Sequence, residues 1–269
     1  MRVFIQTDLE GISGCVAGGY GFHRSPELER QYLDLMMGEI NAVVEGCVKG
    51  GADEIVVMEA HRVDLAKLHP AAKLARGVKV AALLERYRFD AGMFVGQHAR
   101  TGLADGVRSH TGSSKCILEF SVNGRSFGEL GLTGGMLGTY GTPVVFLAGD
   151  DCCCREAEEF FPGCTTVAVE EAFGVWGAVC RPPASTAPEL TAAAARALQR
   201  IGEVPPLRFE GQVTFRIEFA YAAIADDFCV IPGTRRIAPR VVECTGEDFR
   251  AAYRLGYSTL AAVLRRYES

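Results

Sequence analysis

The chain has 269 residues, of which 48% are hydrophobic and 23% are charged, and its formal net charge is -5. This composition is typical of a globular protein and argues against nucleic acid as the main partner, because phosphate binding requires clustered positive charge. No apolar stretch approaches the roughly 20 residues that span a bilayer, and the N-terminus lacks the pattern of a secretory signal. We therefore predict a cytoplasmic protein without a nucleic-acid or membrane partner.

Short apolar runs alternate with helical patterns from Met1 to Cys180, which predicts buried parallel strands. The predicted strands cover residues 3–7, 54–58, 91–96 and 143–148. A helix is expected between the first two strands, because Ser25 is a suitable N-cap and Pro26 fits the first helical position. Its apolar stripe ends at Gly50-Gly51, where glycine commonly stops a helix.

The middle of the chain predicts a β-hairpin with strands at residues 117–122 and 126–130, followed by a Gly-rich helix at 130–140. Further on, Pro182-Pro183 and Pro188 predict a linker. A helix at 189–201, strands at 213–219 and 240–244, and an amphipathic helix at 247–267 follow. We predict an α/β fold with a mostly parallel sheet flanked by helices, a β-hairpin insertion and a smaller C-terminal α+β section. We expect residues 1–180 to form the core and residues 181–269 to form the smaller section packed on it, or both to form one continuous domain.

The ten cysteines form no C-x-x-C pair, and a disulfide framework is not expected in a chain without a secretory signal. Most lie in apolar runs, where free cysteine packs as a small hydrophobic residue. Cys152-Cys153-Cys154 follow Asp150-Asp151 at a predicted helix start, a position that favours a lowered thiol pKa. Packing is the simpler explanation for this run.

Polar side chains follow the first three predicted strands. Asp8 and Glu10 come after the first strand, His61 after the second and His98 after the third. Because ligands of open α/β sheets bind outside the carboxyl ends of the strands, we expect these four side chains at one edge. Carboxylates and histidines without a nearby cysteine suit a hydrolytic zinc site. A carboxylate such as Asp8 can bridge two ions about 3.5–4 Å apart, with one histidine on each.

Each of these residues taken alone has a simpler explanation. A single histidine at a strand end is more often a surface or hydrogen-bonded residue, and Asp8 and Glu10 can cap the turn that follows them. We assign His23 and His69 to that structural class. For His61 and His98, the shared edge of the sheet favours metal binding instead.

Several segments resemble the motifs of the D-aminopeptidase family of zinc peptidases, peptidase family M55. They are Asp8-Leu9-Glu10-Gly11-Ile12-Ser13-Gly14, Leu68-His69-Pro70, Gly96-Gln97-His98-Ala99-Arg100, Ser109-His110, Gly128-Glu129-Leu130-Gly131-Leu132 and Ala148-Gly149-Asp150-Asp151. The likeness runs in the same order from the N-terminus to the vicinity of Glu170 and is looser in the last third.

The resemblance implies two zinc ions per subunit, with Asp8 as the bridging ligand. The ligands that it implies are Asp8, Glu10, His61, His98 and Glu129. It also implies that His110 is the catalytic residue and acts as a nucleophile. From the residues alone, a general acid–base role or stabilisation of the oxyanion stays equally open for His110. Glu129 is predicted on the second hairpin strand, so its place in the site depends on the resemblance.

The activity that the resemblance implies is a dinuclear zinc aminopeptidase acting on short peptides, with a preference for D-amino acids, in a ring-shaped, decamer-like homo-oligomer. A phosphoesterase is one alternative, because the same ligands serve both reactions, and a catalytically lapsed metal-binding protein is another. The sequence departs from the family where Met58-Glu59-Ala60 replace Asn-Asp-Ser and Thr133 replaces Asn. These changes keep the ligands and predict altered hydrogen bonds around them.

Overall fold

The computed structural model describes residues 1–16 and 25–267, so His23 lies outside the described part. The strands are β1 (Arg2–Thr7), β2 (Glu54–Met58), β3 (Ala72–Ala75), β4 (Ala91–Gln97), β5 (Ile117–Val122), β6 (Arg125–Ser126), β7 (Val144–Asp150), β8 (Thr165–Ala172), β9 (Ala178–Cys180), β10 (Val213–Phe219), β11 (Thr234–Ala238) and β12 (Val241–Gly246). The helices are α1 (Pro26–Lys49), α2 (Val80–Arg86), α3 (Glu129–Thr139), α4 (Asp151–Phe160), α5 (Pro183–Gln199), α6 (Ala222–Phe228), α7 (Phe249–Leu255) and α8 (Tyr257–Leu264).

A mostly parallel sheet, the first sheet, contains the four buried parallel strands that the sequence predicts at residues 3–7, 54–58, 91–96 and 143–148. Within the described residues its order is β3-β2-β1-β4-β7-β8-β9, and β9 at the edge runs antiparallel to β8. Every residue of β4 and β7 is buried, as expected for parallel strands covered on both faces. The carboxyl ends of β2, β1 and β4 lie side by side, which confirms the predicted fold class and the shared edge.

Helix α1 begins and ends where its sequence predicts. Ser25 caps its first turn by accepting a hydrogen bond from Leu28 N at 3.4 Å, and Gly50 is its C-cap. With 24 residues it is a long helix, yet in the described part of the chain no helix combines the length and apolarity needed to cross a membrane.

Helices α1 and α5 pack against each other and cover one face of the first sheet. Their contact is close: a Cβ on Gly46 would lie 2.5 Å from the carbonyl oxygen of Thr191. Val3 and Ile5 of β1 point into this layer, whereas Phe4 between them points to the opposite face. The alternation follows from the two-residue period of a strand and gives the sheet an apolar core on each side.

The opposite face of the first sheet packs against α2, α3, α4 and a second, antiparallel sheet. Phe4 of β1 and Phe94 of β4 share one apolar core with Phe120 of β5 and Phe215 of β10. In the described residues the order of this second sheet is β11-β12-β10-β5-β6. The predicted hairpin therefore joins the C-terminal strands, since β5 pairs with β10. The division into two domains at residue 180 stays a prediction.

The second strand of the hairpin is shorter than predicted. β6 ends at Ser126, and Glu129 is the first residue of α3 rather than a strand residue. Gly128 precedes the helix in extended backbone, where a Cβ would lie 2.9 Å from the Cβ of Arg100. The strand ends early because the chain turns here into a helix whose Leu130 is fully buried.

The linker predicted around residues 182–188 is wrong. Helix α5 begins at Pro183 and includes Pro188. Pro183 suits the first position of the helix because the N–H that proline lacks has no helical partner there, whereas Pro188 lies inside the helix. The proline-rich stretch is therefore the first part of the helix that packs on α1.

The single C-terminal helix predicted for residues 247–267 is also wrong, because the chain breaks between α7 and α8. Gly256 separates the two helices. A Cβ at this position would lie 2.8 Å from the ring of Phe215 and 2.9 Å from Cys244 Sγ. The break thus lies where the helical segment approaches the second sheet most closely, which amphipathic periodicity does not reveal.

Candidate metal centre

The carboxyl ends of β1, β2 and β4 bring Asp8, Glu10, His61 and His98 together, and Asp8 lies at the centre of the group. Its Oδ1 is 3.0 Å from His61 Nε2, and its Oδ2 is 3.6 Å from His98 Nε2. Gln97 Nε2 donates a hydrogen bond to the same Oδ2 at 3.1 Å. Each oxygen of Asp8 faces a different histidine, which is the arrangement a bridging carboxylate requires.

Glu10, His61 and Arg108 form one side of the site, which we call the charged half. Glu10 Oε2 is 2.9 Å from His61 Nε2, and its Oε1 is 3.0 Å from Arg108 Nη2. Burial alone would raise the pKa of Glu10, but the hydrogen bond and charge of His61 and the charge of Arg108 hold it well below its usual range. Burial and the neighbouring charge of Glu10 raise the pKa of Asp8 to about 7. This half therefore concentrates charge.

His98, His110 and Glu129 form the other side, which we call the stacked half. The two imidazole rings stack with centroids 4.0 Å apart and planes within 7°. His98 Nδ1–H donates to the Ala99 carbonyl at 2.9 Å, and His110 Nδ1–H donates to the Arg108 carbonyl at 2.8 Å. These bonds place the lone pair on Nε2 of each ring, 3.9 Å and 3.8 Å from Glu129 Oε1. Burial, with a smaller effect from His98, lowers the pKa of His110 and favours its neutral form.

The ring nitrogen of His98 is the clearest indication that a cation belongs in this site. The residue is 1% exposed, and its Nε2 has no hydrogen-bond partner among the described residues. An unsatisfied buried lone pair is unfavourable, whereas a cation would satisfy it. Donor atoms of Asp8, Glu10 and His98 lie within 4.8 Å of one another, as do those of His98, His110 and Glu129. Imidazole nitrogen and carboxylate oxygen are ligands that zinc accepts, so the residues fit zinc.

Glu129 reaches the site from the first turn of α3, not from a hairpin strand. Its Oε1 accepts a hydrogen bond from the backbone N–H of Gly112 at 2.7 Å. The helix and the segment before β5 thus carry the two residues, Glu129 and His110, that the geometry of the first sheet does not supply. Their only sequence signal is the family motif around each.

Glu59, one of the departures from the family pattern, stabilises the turn that carries His61. Its carboxylate accepts hydrogen bonds from Arg76 Nη2 at 2.7 Å and from the N–H of Val63 at 3.0 Å. The hydrogen bond from Arg76 lowers the pKa of Glu59. Ala60 N donates to Thr7 Oγ1 at 3.4 Å. In this chain the turn that carries His61 is therefore held by the ion pair between Glu59 and Arg76.

Two residues with contacts to the candidate ligands were not predicted from the sequence. Gln97 contacts Asp8, and Arg108 contacts Glu10. Gln97 lies in the motif Gly96-Gln97-His98-Ala99-Arg100, whereas the signal for Arg108 was its position two residues before His110.

Two cavities open beside the site. The smaller, of about 320 Å³, borders Glu129; Met58, Tyr257 and Leu260 form part of its wall, and polar side chains such as Lys79 and Thr133 form the rest. The C-terminal helices thus reach the edge of the site. A larger groove of about 800 Å³ runs past His61 and Glu59 and is lined by charged residues such as Arg62 and Asp64.

The cysteines and His69 lie outside the candidate metal centre. All ten cysteines are free. Cys152 and Cys154 at the start of α4 are buried, and burial raises the pKa of the Cys152 thiol to about 11 and that of Cys154 to about 12, in agreement with packing as the explanation for this run. His69 Nδ1 accepts a hydrogen bond from Ala71 N at 3.2 Å, and its Nε2 is 3.3 Å from Glu45, in agreement with a structural role.

Comparisons with known proteins identify the family. A family model for D-aminopeptidases, Peptidase M55, matches residues 1–256. A D-aminopeptidase from Bacillus subtilis (strain 168) is 33% identical over 261 residues, which cover 94% of each chain. The solved structure of the Zn-dependent D-aminopeptidase DppA from Bacillus subtilis, a self-compartmentalizing protease, matches with a TM-score of 0.90 and 31% identity over 98% of each chain. The resemblance noted in the sequence is confirmed, and this chain belongs to the D-aminopeptidase family, peptidase family M55.

Proposed function

We propose that this protein is a zinc-dependent aminopeptidase that binds two zinc ions per subunit and removes the N-terminal residue of short peptides, with a preference for D-amino acids. The observation that carries the proposal is the buried Nε2 of His98, which lies near the carboxylates of Asp8 and Glu129. Among the described residues this nitrogen has no hydrogen-bond partner. Membership of the D-aminopeptidase family supports the reaction class.

The donor atoms support a division of the ligands between two ions. Asp8 would bridge, because its two oxygens face opposite sides of the site. Glu10 and His61 would hold one ion, and His98 and Glu129 the other. The chemistry that zinc supplies in such a site is polarisation of the substrate carbonyl and activation of water.

The ring of His110 is arranged to act through Nε2. Its Nδ1–H is held by the Arg108 carbonyl at 2.8 Å, so the lone pair that can attack or accept a proton is on Nε2. Burial keeps the pKa of the ring lowered, which favours the neutral, reactive form. Positive charge that develops on the ring during the reaction would be stabilised by the Arg108 carbonyl, in either a nucleophilic or a general-base role.

The cavity beside Glu129 supports an apolar N-terminal residue as substrate. At about 320 Å³ it is at the lower end of the range of ligand cavities, about 300–1,000 Å³. Met58, Tyr257 and Leu260 offer an apolar surface to the side chain of the N-terminal residue, next to Glu129. We expect apolar residues larger than alanine to be accepted at this position.

We also propose a homo-oligomer, ring-shaped and decameric as the family resemblance implies. The related DppA is a self-compartmentalizing protease, and three exposed apolar side chains at the β8–β9 hairpin support an interface: Phe173, Trp176 and Val179 are 68%, 57% and 59% exposed. Light scattering after gel filtration should give a mass ten times that of the single chain, which is 29.0 kDa. A monomeric mass would contradict this proposal. The cytoplasmic location stays a prediction.

The decisive experiment measures zinc content and hydrolysis on the same preparation. We expect two zinc ions per subunit, hydrolysis of D-Ala dipeptides faster than of the matching L-dipeptides, and loss of activity with a chelator that zinc restores. Hydrolysis of a phosphomonoester without peptide hydrolysis would identify a phosphoesterase. Bound zinc without hydrolysis of any substrate would identify a catalytically lapsed protein.

A further inference from the structure

Arg108 has an unusual backbone conformation beside the site. Among the described residues, Arg108 and Asn123 are the non-glycine residues with positive φ, each at 49°. Asn123 lies in the hairpin turn, where asparagine commonly adopts this conformation. Arginine has no such local preference, and left-handed residues of this kind persist where the surrounding structure holds them. The backbone N–H of Arg108 donates to the Val175 carbonyl at 2.8 Å, which ties it to the turn before β9.

This conformation lets one residue contact both halves of the site. The guanidinium of Arg108 meets Glu10 of the charged half, with Nη2 3.0 Å from Oε1. Its carbonyl accepts the Nδ1–H of His110 in the stacked half at 2.8 Å. The arginine side chain is only 12% exposed, so its ion pair with Glu10 is largely shielded from solvent.

We propose that Arg108 is a positioning residue for the aminopeptidase reaction, whose guanidinium orients Glu10 for zinc and whose carbonyl orients His110. The inference rests on the proposed function. With Oε1 engaged by Arg108, the oxygen of Glu10 that remains directed at the ligand cluster is Oε2, which lies 2.9 Å from His61 Nε2. Hydrogen bonds to a ligating carboxylate fix its orientation, and their loss typically weakens metal binding.

The second contact selects the reactive nitrogen of His110. A carbonyl can only accept, so the proton of the neutral ring must reside on Nδ1 and the lone pair on Nε2. Rotation of the Arg108 peptide would remove this constraint. One residue thereby couples the orientation of a metal ligand to the tautomer of the catalytic ring.

The test compares three substitutions that separate the side chain from the backbone. Arg108→Met keeps the length of the stem and removes the charge. Arg108→Gly also removes the guanidinium but adopts positive φ without strain. Arg108→Lys keeps a positive charge without the planar fork. Zinc affinity is measured by competition with a chelator, kcat and KM with a D-Ala dipeptide, and folding by thermal unfolding.

We expect zinc affinity to fall by about 10–100-fold in both Arg108→Met and Arg108→Gly, with partial recovery in Arg108→Lys. kcat should fall while KM changes less than about threefold, because Arg108 acts on Glu10 and His110 rather than on the substrate. Arg181→Met is the matched control. Arg181 follows β9 directly, and its guanidinium donates a hydrogen bond to the Ala168 carbonyl at 2.8 Å. In Arg181→Met, zinc affinity and kcat should stay at wild-type values.

Wild-type zinc affinity in Arg108→Met would overturn the proposal. Tighter zinc binding would overturn it as well, since it would show that repulsion between the guanidinium and the ions outweighs orientation. Loss of affinity in Arg108→Met but not in Arg108→Gly would assign the effect to backbone strain and reject the role of the guanidinium. If wild-type protein neither binds zinc nor hydrolyses peptides, the proposed function fails instead, and the two failures are distinguishable.

Discussion

The two halves of the site are held by different interactions. In the charged half, Glu10 is fixed by ion pairs with His61 and Arg108. In the stacked half, His98 and His110 are fixed by ring stacking and by backbone carbonyls. The position of Glu10 therefore depends on the positive charges of its neighbours. The positions of the two histidine rings depend on stacking and hydrogen bonds, which do not require charged groups.

This difference predicts how each half responds to change. A substitution in the charged half leaves a buried charge without its partner, which is costly in a shielded environment. A substitution of His110 in the stacked half removes a ring whose lowered pKa favours the neutral form, so it leaves no buried charge without a partner. We therefore expect mutations in the charged half to alter metal binding and local structure together, and a mutation of His110 in the stacked half to lower turnover without loss of zinc.

The largest effect is expected from Asp8→Ala, which removes the carboxylate whose two oxygens face His61 and His98, one histidine in each half. Most of the zinc should be lost. Activity should fall by about 10³-fold or more, because the ions contribute several kcal/mol to the transition state. Zinc analysis and dipeptide assays check this.

The control for Asp8→Ala is Asp53→Ala, which removes an acid whose side chain is 83% exposed and pairs with the N-terminal amine. It should keep both zinc ions and full activity. An Asp8→Ala protein with two zinc ions and wild-type turnover would refute the assignment of the bridge.

The next effect is expected from His110→Ala in the stacked half. Turnover should fall by about 10²–10⁴-fold, the contribution of a positioned acid–base or nucleophilic group, while zinc content stays near wild type. His69→Ala serves as the control. Loss of zinc in His110→Ala would instead identify His110 as a ligand. The donor atoms of His110, His98 and Glu129 lie within 4.8 Å of one another, which is the geometry that such a role requires.

The smallest effect is expected from a change of pH, which alters the protonation of two buried acids below the charged half. Glu39 of α1 accepts the N–H of Ser13 at 3.0 Å, and Glu170 of β8 accepts the N–H of Gly14 at 2.9 Å. These bonds hold the turn that follows Glu10. Burial raises the pKa of Glu39 to about 8 and that of Glu170 to about 7. Near pH 7 the folded protein therefore favours the protonated form of Glu39 and holds Glu170 between its two forms.

A raised carboxyl pKa stabilises the fold below the unfolded value of 4.5 and loses this contribution as the pH rises through the folded value. The free energy of unfolding should therefore fall by about 1–3 kcal/mol between pH 6 and pH 8.5. Glu39→Gln mimics the protonated acid and should remove part of that fall, whereas Glu27→Gln, an exposed acid on the same helix, should not. Denaturant unfolding at the two pH values measures it, and equal slopes for wild type and Glu39→Gln would contradict the prediction.

Much of the charged half and the strand-borne part of the stacked half follow from local sequence. Apolar runs that end in Asp8, His61 and His98 predict the strands, and the parallel direction of these strands places their carboxyl ends at one edge. Glu129 and His110 arrive from elements outside this pattern. Their place in the site was implied by family motifs and not by the geometry of the first sheet.

The errors of sequence-based prediction have physical causes of the same kind. The prolines at 182, 183 and 188 favour a linker, but the segment from Pro183 forms helix α5 and packs against α1. The C-terminal pattern is continuously helical, but the close approach of Gly256 to Phe215 breaks it. In both cases a contact distant in sequence overrides a correct local preference.

The sequence by itself determined the parallel sheet, the position of its polar edge and the family, because hydrophobic periodicity and motif order are local properties of the chain. Tertiary structure alone decided that Arg108 spans both halves of the site and that Tyr257 lines its cavity. The positive φ of Arg108 and the position of the C-terminal helix are each fixed by residues far away in the chain, such as Val175 and Glu10 for Arg108. No local sequence pattern encodes such partners.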